Sequence, residues 1–575
     1  MYFQRIVQGA SLALFLLALL CAAYPQLSMV PVDGFLRMDP VVFVGTLVAA
    51  RIFVPLLWVA GLILFLCIFM GRFFCAYICP MGTTIDCTDH LLRNRRNSRN
   101  KRYSQIKRGN TIPTRLPSKR IKHYVLFFIL GAGVMGVSFV FLVSPLSLIT
   151  RFYVLIIYPI LSFLADLGLV VLRPAADKLE LTSIAYAAVK VPRYNLQWVT
   201  ILMLFSIFAC GVWFPRFWCR YLCPSGALFA IFAFRPFLRR QVSQDCTHCG
   251  LCIRNCPMGA IGNGVENDGI DNPHLTKHDE CIVCLACVRV CPAQAVSFAF
   301  GRIPASKKPA GHESPPEKIS VERRRILGAG LSGAAAAIVT FTGLTSPRSE
   351  PGPGNFIHPA MIRPPGAIPE HDFLARCIRC GECMRACPTN TLQPLGLEAG
   401  LTAFFSPVVT PRRGPCEPNC NNCGRVCPTS AIPQLPLAEK QKAKMGTARI
   451  FRQKCLAWEL DKKCLICDEF CPYDAVEFRV LPGMRIAVPF VDESKCSGCG
   501  LCEYNCPVQA TPAIVVEPML ALRLSKGSYR DAAREMGYSL EIKRKAVGPA
   551  SPCATPDDRP SSQLDEKGLP PGFTE

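Results

Sequence analysis

The chain has 575 residues, 50% hydrophobic and 18% charged, with 33 cysteines, 49 prolines and a formal net charge of +23. That length suits three or four domains of about 100–200 residues, and the composition excludes a disordered or fibrous chain. The cysteines lie beside long apolar runs, unlike those of a short secreted disulfide scaffold. Much of the positive charge sits in one loop, so no nucleic-acid partner is needed to explain it.

Four apolar stretches, near residues 6–24, 50–71, 123–145 and 197–214, are long enough to cross a bilayer, which takes roughly 20 residues. The loop His90–Lys122 carries 12 Lys or Arg and no Asp or Glu, which predicts that it stays on the cytoplasmic side and touches anionic lipid headgroups. The N-terminus is then inside, loops 25–49 and 146–196 are outside, and the chain returns inside at Arg216, Arg220, Arg235, Arg239 and Arg240. Arg151, Asp166 and Arg173 crowd the segment Phe152–Val171, which therefore reads as a re-entrant or interfacial helix.

Residues 1–240 form an expected α-helical polytopic membrane domain, and a repeat runs through it. Asp39-Pro40 precedes a span ending in Gly71-Arg72-Phe73-Phe74-Cys75-Ala76-Tyr77-Ile78-Cys79-Pro80. Ser144-Pro145 precedes one ending in Pro215-Arg216-Phe217-Trp218-Cys219-Arg220-Tyr221-Leu222-Cys223-Pro224. Such repeats build a site at their junction. Cys75, Cys79, Cys219 and Cys223 are accordingly candidates for a shared redox or quinol site. A further metal centre, redox-active disulfides and a purely structural junction stay open.

Six segments then follow the bacterial ferredoxin pattern, three close cysteines and a fourth before proline. Four are regular: Cys246, Cys249, Cys252 and Cys256; Cys281, Cys284, Cys287 and Cys291; Cys377, Cys380, Cys383 and Cys387; and Cys496, Cys499, Cys502 and Cys506. Two are variants: Cys416, Cys420, Cys423 and Cys427, with three residues in the first gap, and Cys455, Cys464, Cys467 and Cys471, with eight. Three thiolates two residues apart wrap one corner of an iron–sulfur cube, and the fourth leaves to ligate the other cluster of a pair. So Cys246, Cys249, Cys252 and Cys291 are expected to hold one [4Fe–4S] cluster, and Cys281, Cys284, Cys287 and Cys256 another. Four further clusters are expected in the C-terminal half, with the crossing cysteines left open. Zinc sites lack the third close cysteine and trailing proline, and disulfides do not explain six repeats of one motif. Cys21, Cys67 and Cys210 lie in apolar runs and read as packing residues, and Cys553 lies in a polar tail with no expected role.

The remaining organisation follows in chain order. Residues 241–300 are an expected cytoplasmic two-cluster ferredoxin domain and 301–319 a Pro/Lys/Ser linker. Residues 320–346 contain Ser320-Val321-Glu322-Arg323-Arg324-Arg325-Ile326-Leu327 before a Gly/Ala-rich run, which resembles a twin-arginine export signal retained as an anchor. Residues 350–515 are then an expected periplasmic four-cluster domain of α+β bacterial ferredoxin type. Residues 516–575 are an expected tail, helical over 516–545 and disordered after it. Gly131-Ala132-Gly133-Val134-Met135-Gly136 and Gly328-Ala329-Gly330-Leu331-Ser332-Gly333 match a dinucleotide fingerprint. They lie in apolar runs without the strand and acidic residue that motif needs, and read as helix-packing faces. No histidine lies well inside a span and no Cys-x-x-Cys-His occurs, so no haem is expected, nor flavin or nucleotide.

On these motifs, residues 1–300 resemble the NapH family of membrane ferredoxin-type subunits. Residues 320–515 resemble the NapG family through Ala367-Ile368-Pro369-Glu370, Phe373-Leu374-Ala375-Arg376-Cys377-Ile378-Arg379-Cys380-Gly381, Met445-Gly446-Thr447-Ala448 and Cys496-Ser497-Gly498-Cys499-Gly500-Leu501-Cys502-Glu503. The MauN and MauM families are related to the two. The resemblance implies a bacterial inner-membrane protein, acting as a quinol dehydrogenase component, that passes electrons from the quinone pool to a periplasmic redox protein or reductase. The alternative is a redox maturation or assembly factor, or a redox sensor, for a partner enzyme.

Overall fold

The computed structural model describes residues 2–22, 33–97, 119–178, 182, 186–187, 189–213, 215–234, 236–262, 273–300, 323–341, 361–508 and 511–542. Most of the basic run between Arg93 and Arg115, the linker 301–319, Cys553 and the tail beyond 542 lie outside the described residues or side chains.

Two helices, Phe3–Cys21 and Pro145–Pro174, are long and apolar enough to cross a membrane by length and composition; Pro40–Ala50, Pro55–Met70, Ile121–Val134 and Gln197–Gly211 are apolar but shorter. The expected stretches are therefore not four uninterrupted helices. Arg51 (φ 53°) and Pro55 separate Pro40–Ala50 from Trp58–Met70. The third stretch stops at Val134, where Gly136 (φ 84°) turns the chain before Pro145 opens a new helix. A residue with positive φ and a proline lacking its N–H end the helical ladder in each case.

The segment 152–171 belongs to a helical run from Pro145 to Lys178 with a π-helical turn at Tyr153–Ile157. Ser147 Oγ at its start donates to the Ile378 carbonyl at 2.7 Å. The returning chain touches the same neighbouring unit, with Lys190 Nζ donating to the Pro388 carbonyl (3.4 Å) and the Asn195 N–H to Gln393 Oε1 (3.0 Å). Both ends of this segment therefore contact the same cysteine-rich unit.

Strand β1 (Leu238–Val242) pairs antiparallel with β2 (Val296–Phe300), Leu238 opposite Phe300, and closes a small unit over residues 238–300. The C-terminal unit contains three more antiparallel pairs. These join β3 (Leu392–Pro394) to β4 (Pro407–Val409), β5 (Thr447–Ile450) to β8 (Ile514–Glu517), and β6 (Val476–Val480) to β7 (Ala487–Val491). Residues 516–542 pack on this unit through buried Leu522, Tyr529, Ala533 and Leu540 instead of trailing from it. Only Tyr529–Glu535 is helical there, between Gly527 (φ 105°) and Gly537 (φ 71°), which corrects the expected helix over 516–545.

The two cysteine-rich units sit at opposite ends of the helical domain. The helix Tyr2–Cys21 touches both: Arg289 of the first donates to Gln4 Oε1 (2.8 Å), and Arg385 of the second donates to the Leu19 carbonyl (2.5 Å). At the first contact, Glu280 meets Arg72 (3.0 Å) and Lys122 (2.5 Å), both fully buried. At the second, Arg151 Nε donates to the Arg379 carbonyl (3.1 Å) and the Arg385 guanidinium lies 3.6 Å from the Tyr158 ring centre. The helix Arg323–Phe341 packs along Ile121–Val134. A Cβ on Gly131 would collide with the Gly330 carbonyl, and one on Gly333 with the Phe128 carbonyl. The two glycine runs thus lie against each other, where only small residues let backbones approach so closely.

One ion cluster ties the first and last parts of the C-terminal unit together. Glu370 accepts from Arg363 (2.6 Å) and Arg523 (2.9 Å). Burial alone would raise the Glu370 carboxyl, but the two guanidiniums outweigh it and hold it below the ordinary carboxylate range. Its stabilisation is therefore present above that range and is lost as pH falls through the depressed value. Glu370→Ala, which strands the buried Arg363, is expected to cost about 3–5 kcal/mol in denaturant unfolding of the full chain. It should also flatten the acid limb of the stability–pH curve; an unchanged limb would show that the cluster is not what acid breaks.

Candidate metal centres

Each motif folds as a tight loop running into one short helical turn, and in the four regular motifs a left-handed residue makes the loop possible. Gly250, Leu285, Gly381 and Gly500 all have positive φ immediately before the turn that carries the third cysteine. The cysteines then gather by exchange between motifs. One cavity is lined by Cys281, Cys284, Cys287 and Cys256. A second is lined by Cys377, Cys380, Cys383 and Cys427, a third by Cys496, Cys499, Cys502 and Cys471, and a fourth by Cys455, Cys464, Cys467 and Cys506. Cys416 and Cys423 interact with Cys387, the cysteine that the second set leaves over. Cys252 and Cys291 share an apolar cluster in the first unit. The fourth cysteine of a motif thus crosses to its neighbour, and the irregular gap before Cys464 does not prevent its loop from forming a set.

The donor chemistry fits an iron–sulfur cube. Apolar residues make up much of the lining, for example Ile261, Ile282 and Phe298, or Val476, Val491 and Val516, with Arg240 at the first cavity and Arg379 and Glu382 at the second. Backbone N–H groups point at sulfur, from Ala260 to Cys256 (3.2 Å), Ala475 to Cys471 (3.3 Å), Ala448 to Cys496 (3.4 Å) and Ile432 to Cys427 (3.5 Å). Burial pushes the thiols up, Cys281 and Cys499 to about 12 and Cys377 to about 11. Such pockets do not sustain bare thiolates at neutral pH, so metal binding must release protons. Among the described residues, the one group of three donors close enough to share a single ion is Cys246, His248 and His274, within 4.8 Å. The two histidines were not singled out from sequence and come together only because the chain folds back near 274.

The sets form an ordered series. Cys383 interacts with Cys423, Cys416 with Cys499, and Cys502 with Cys467. Starting from the helical domain, the order is the Cys377 set, the Cys416 set, the Cys496 set and the Cys455 set. In the first unit the Cys281 set is the inner one, because Tyr77 Oη donates to the Val283 carbonyl at 3.0 Å and Cys284 interacts with Arg216.

Between the two series, the structure brings Cys75, Cys79, Cys219 and Cys223 together. Cys79, Cys219 and Cys223 are buried, Cys75 is half-buried, and none of them is in a disulfide. The repeat equivalents Arg72 and Arg216 flank them. Arg72 interacts with Cys75, Cys219, Cys223 and Glu280, and Arg216 forms a two-pronged pair with Asp86 (2.6 and 2.5 Å) and donates to the Cys75 carbonyl (3.3 Å). From the sequence Arg216 was read only as a marker of topology and Asp39 only as part of an Asp-Pro step, and neither arginine was assigned to the site. The signal was present, since each arginine lies three residues before the first cysteine of its repeat.

Comparison with known proteins finds 4Fe-4S domains over much of the chain. Residues 245–296 and 462–510 match 4Fe-4S dicluster domains, and residues 373–393 match a 4Fe-4S binding domain. A second type of 4Fe-4S binding domain matches twice, over 51–99 and 195–242, once for each repeat of the helical domain. The methylamine utilization ferredoxin-type protein MauM of Methylorubrum extorquens is 36% identical over 211 residues, covering 35% of this chain and 90% of MauM. The ferredoxin-type protein NapG of Escherichia coli is 36% identical over 174 residues, covering 29% of this chain and 73% of NapG. NapF of Haemophilus influenzae is 34% identical over 151 residues, 26% of this chain and 76% of NapF. The exchange of cysteines makes a prediction: Cys506→Ala should remove the cluster carried by Cys455, Cys464 and Cys467, leaving that of Cys496, Cys499 and Cys502 in place. Site-resolved loss of iron, paired with Cys471→Ala, checks it; loss of the Cys496-set cluster in Cys506→Ala would refute the assignment.

Proposed function

This chain belongs to the family of ferredoxin-type iron–sulfur proteins that includes MauM and NapG, and from that premise we propose that it is a membrane-bound conduit. In this reading it takes electrons from membrane quinol and delivers them to a redox protein in the periplasm. The observation that carries the reading is the run of cysteine sets, two at one end of the helical domain and four at the other, with a four-cysteine junction between them. Each set would hold a [4Fe–4S] cluster, which supplies one-electron transfer without chemistry on a substrate.

The protein's own residues do the positioning. Glu280, Arg72 and Lys122 fix the inner unit on the bundle, and Ser147, Arg151 and Arg385 fix the outer one. Burial would raise the Glu280 carboxyl, but Lys122 and Arg72 prevail and keep it ionised. In this reading the basic run of the sequence favours a cytoplasmic side for the end bearing Lys119 and Lys122, with the Cys377–Cys506 unit on the periplasmic side. The helix Arg323–Phe341 supports that crossing, lying against Ile121–Val134 as an anchor lies against a bundle. The resemblance of the first half to NapH is part of the same proposal, supported by the doubled 4Fe-4S binding domain match.

Quinol oxidation yields quinone, two protons and two electrons, and the electrons would leave singly through the outer series. The test is anaerobic mixing of the full-length oxidised protein with a water-soluble quinol analogue. Bleaching of the visible iron–sulfur absorption with formation of quinone is expected; no bleaching, in protein that dithionite does reduce, would overturn the reading. A maturation factor would instead leave its partner enzyme short of cofactor when the gene is deleted, whereas the conduit leaves that enzyme complete and starved of electrons.

A further inference from the structure

Arg151 stands in the long apolar helical run Pro145–Pro174 and is 1% exposed. A charge in such a place is costly unless something anionic meets it. Its Nε donates to the Arg379 carbonyl (3.1 Å) and its Nη2 to the Phe141 carbonyl (2.9 Å), while Nη1 has no hydrogen-bond partner among the described residues. Arg379, between Cys377 and Cys380, is also buried and lines the cavity of that set. Its guanidinium lies 3.5 Å from the centre of the Phe141 ring and donates from Nη2 to the Thr402 carbonyl. Its Nε and Nη1 have no hydrogen-bond partner among the described residues.

The carboxylates around this set are taken. Glu370, whose field reaches Arg379, is held by Arg363 and Arg523. Asp33 pairs with Arg37 (2.7 Å), and Glu382, on the same cavity, faces Arg385. Even with all of them ionised, these carboxylates are outnumbered by the arginines around them. Arg151 interacts instead with Cys377 and Cys380, and Arg379 with Cys377. The next two sets each meet one buried lysine, Lys440 at Cys416 and Lys444 at Cys496. At the Cys455 set, Arg452, Lys454, Lys462 and Lys463 are exposed, where water and salt screen them.

We propose that Arg151 and Arg379 are positioning residues that stabilise the reduced form of the cluster on Cys377, Cys380, Cys383 and Cys427, so that it is the first of the outer series to take an electron. This deepens the electron-conduit reading and, for its role, rests on it. Net charge is one of the levers on an iron–sulfur potential. Reduction adds one negative charge, which a fixed cation favours strongly in an apolar surround, and a guanidinium keeps its charge in proteins. One electron arrives from a donor, which is oxidised; no bond is made or broken and no proton is taken up. Because Arg151 belongs to the helical domain, seating the C-terminal unit on that domain and tuning its nearest cluster are one contact.

The test is a mediated redox titration of the full-length protein, purified without oxygen and followed by low-temperature electron paramagnetic resonance. The signal of this cluster is identified by its change in Cys380→Ser. In wild type it is expected to appear ahead of the signals of the Cys496 and Cys455 sets as the potential is lowered. Arg151→Met is expected to keep its iron while the reduced-to-oxidised ratio of this cluster, at a fixed ambient potential, falls by about tenfold or more, equivalent to about 59 mV for one electron. Arg151→Lys, which keeps the charge, should stay near wild type. A wild-type ratio in Arg151→Met, or an equal fall in Arg151→Lys, would overturn the proposal. If Arg151→Met does not fold, the wild-type order decides, and a Cys377-set signal that appears after the other two overturns it. Mediators take the place of quinol here, so failure of quinol to reduce the protein would sink the conduit reading and leave these potentials as they stand.

Discussion

Each cysteine loop in this protein is completed by a sulfur from another loop, and the rest of the structure depends on that exchange. A motif such as Cys377, Cys380 and Cys383 cannot close its own cavity, because Cys387 lies beyond the turn and reaches the Cys416 set instead, while Cys427 returns the favour. The antiparallel strand pairs are only three to five residues long. Segments so short have little apolar core of their own, so cross-links made through metal do what packing does elsewhere.

The same logic orders the units in space. Within the C-terminal unit, exchange joins the Cys377 set to the Cys416 set and the Cys455 set to the Cys496 set. The Cys416 N–H, donating to the Cys499 carbonyl at 2.8 Å, then binds the two pairs together. At the helical domain the linkage changes from sulfur to buried charge. Glu280 at one end and the arginines 151, 379 and 385 at the other seat both units. Removing one partner from such a contact strands its counterpart in a dry interface, which makes the seating specific more than it makes it strong.

Much of this was legible in the sequence, and the reasons for success and failure are physical. Ligand spacing is local, so the regular motifs and even the widened Cys455–Cys464 gap could be read directly. In the first unit, with only two motifs, the crossing rule had one solution, and the cavity of Cys281, Cys284, Cys287 and Cys256 agrees with it. With four motifs the rule had several, and only the fold distinguishes them. The stretch at 50–71 holds a shorter helix, Pro55–Met70, than its hydropathy suggests, because Arg51 and Pro55 keep its first residues out of the helix. The expected tail after 515 was misjudged because Tyr529 and Leu540 bury themselves on a distant part of the chain. Asp39 was noticed only as half of an Asp-Pro step, since its bonds to Ser144 and Ser225 span more than a hundred residues.

The measurement that bears most directly on the whole account is the Mössbauer spectrum of full-length protein grown on 57Fe and kept anaerobic. If the thiolates of the six motifs hold inorganic cubes, nearly all the iron will appear as delocalised, tetrahedrally sulfur-coordinated pairs that dithionite reduces. A preparation whose metal is zinc, or whose iron appears as isolated mononuclear sites, would contradict it.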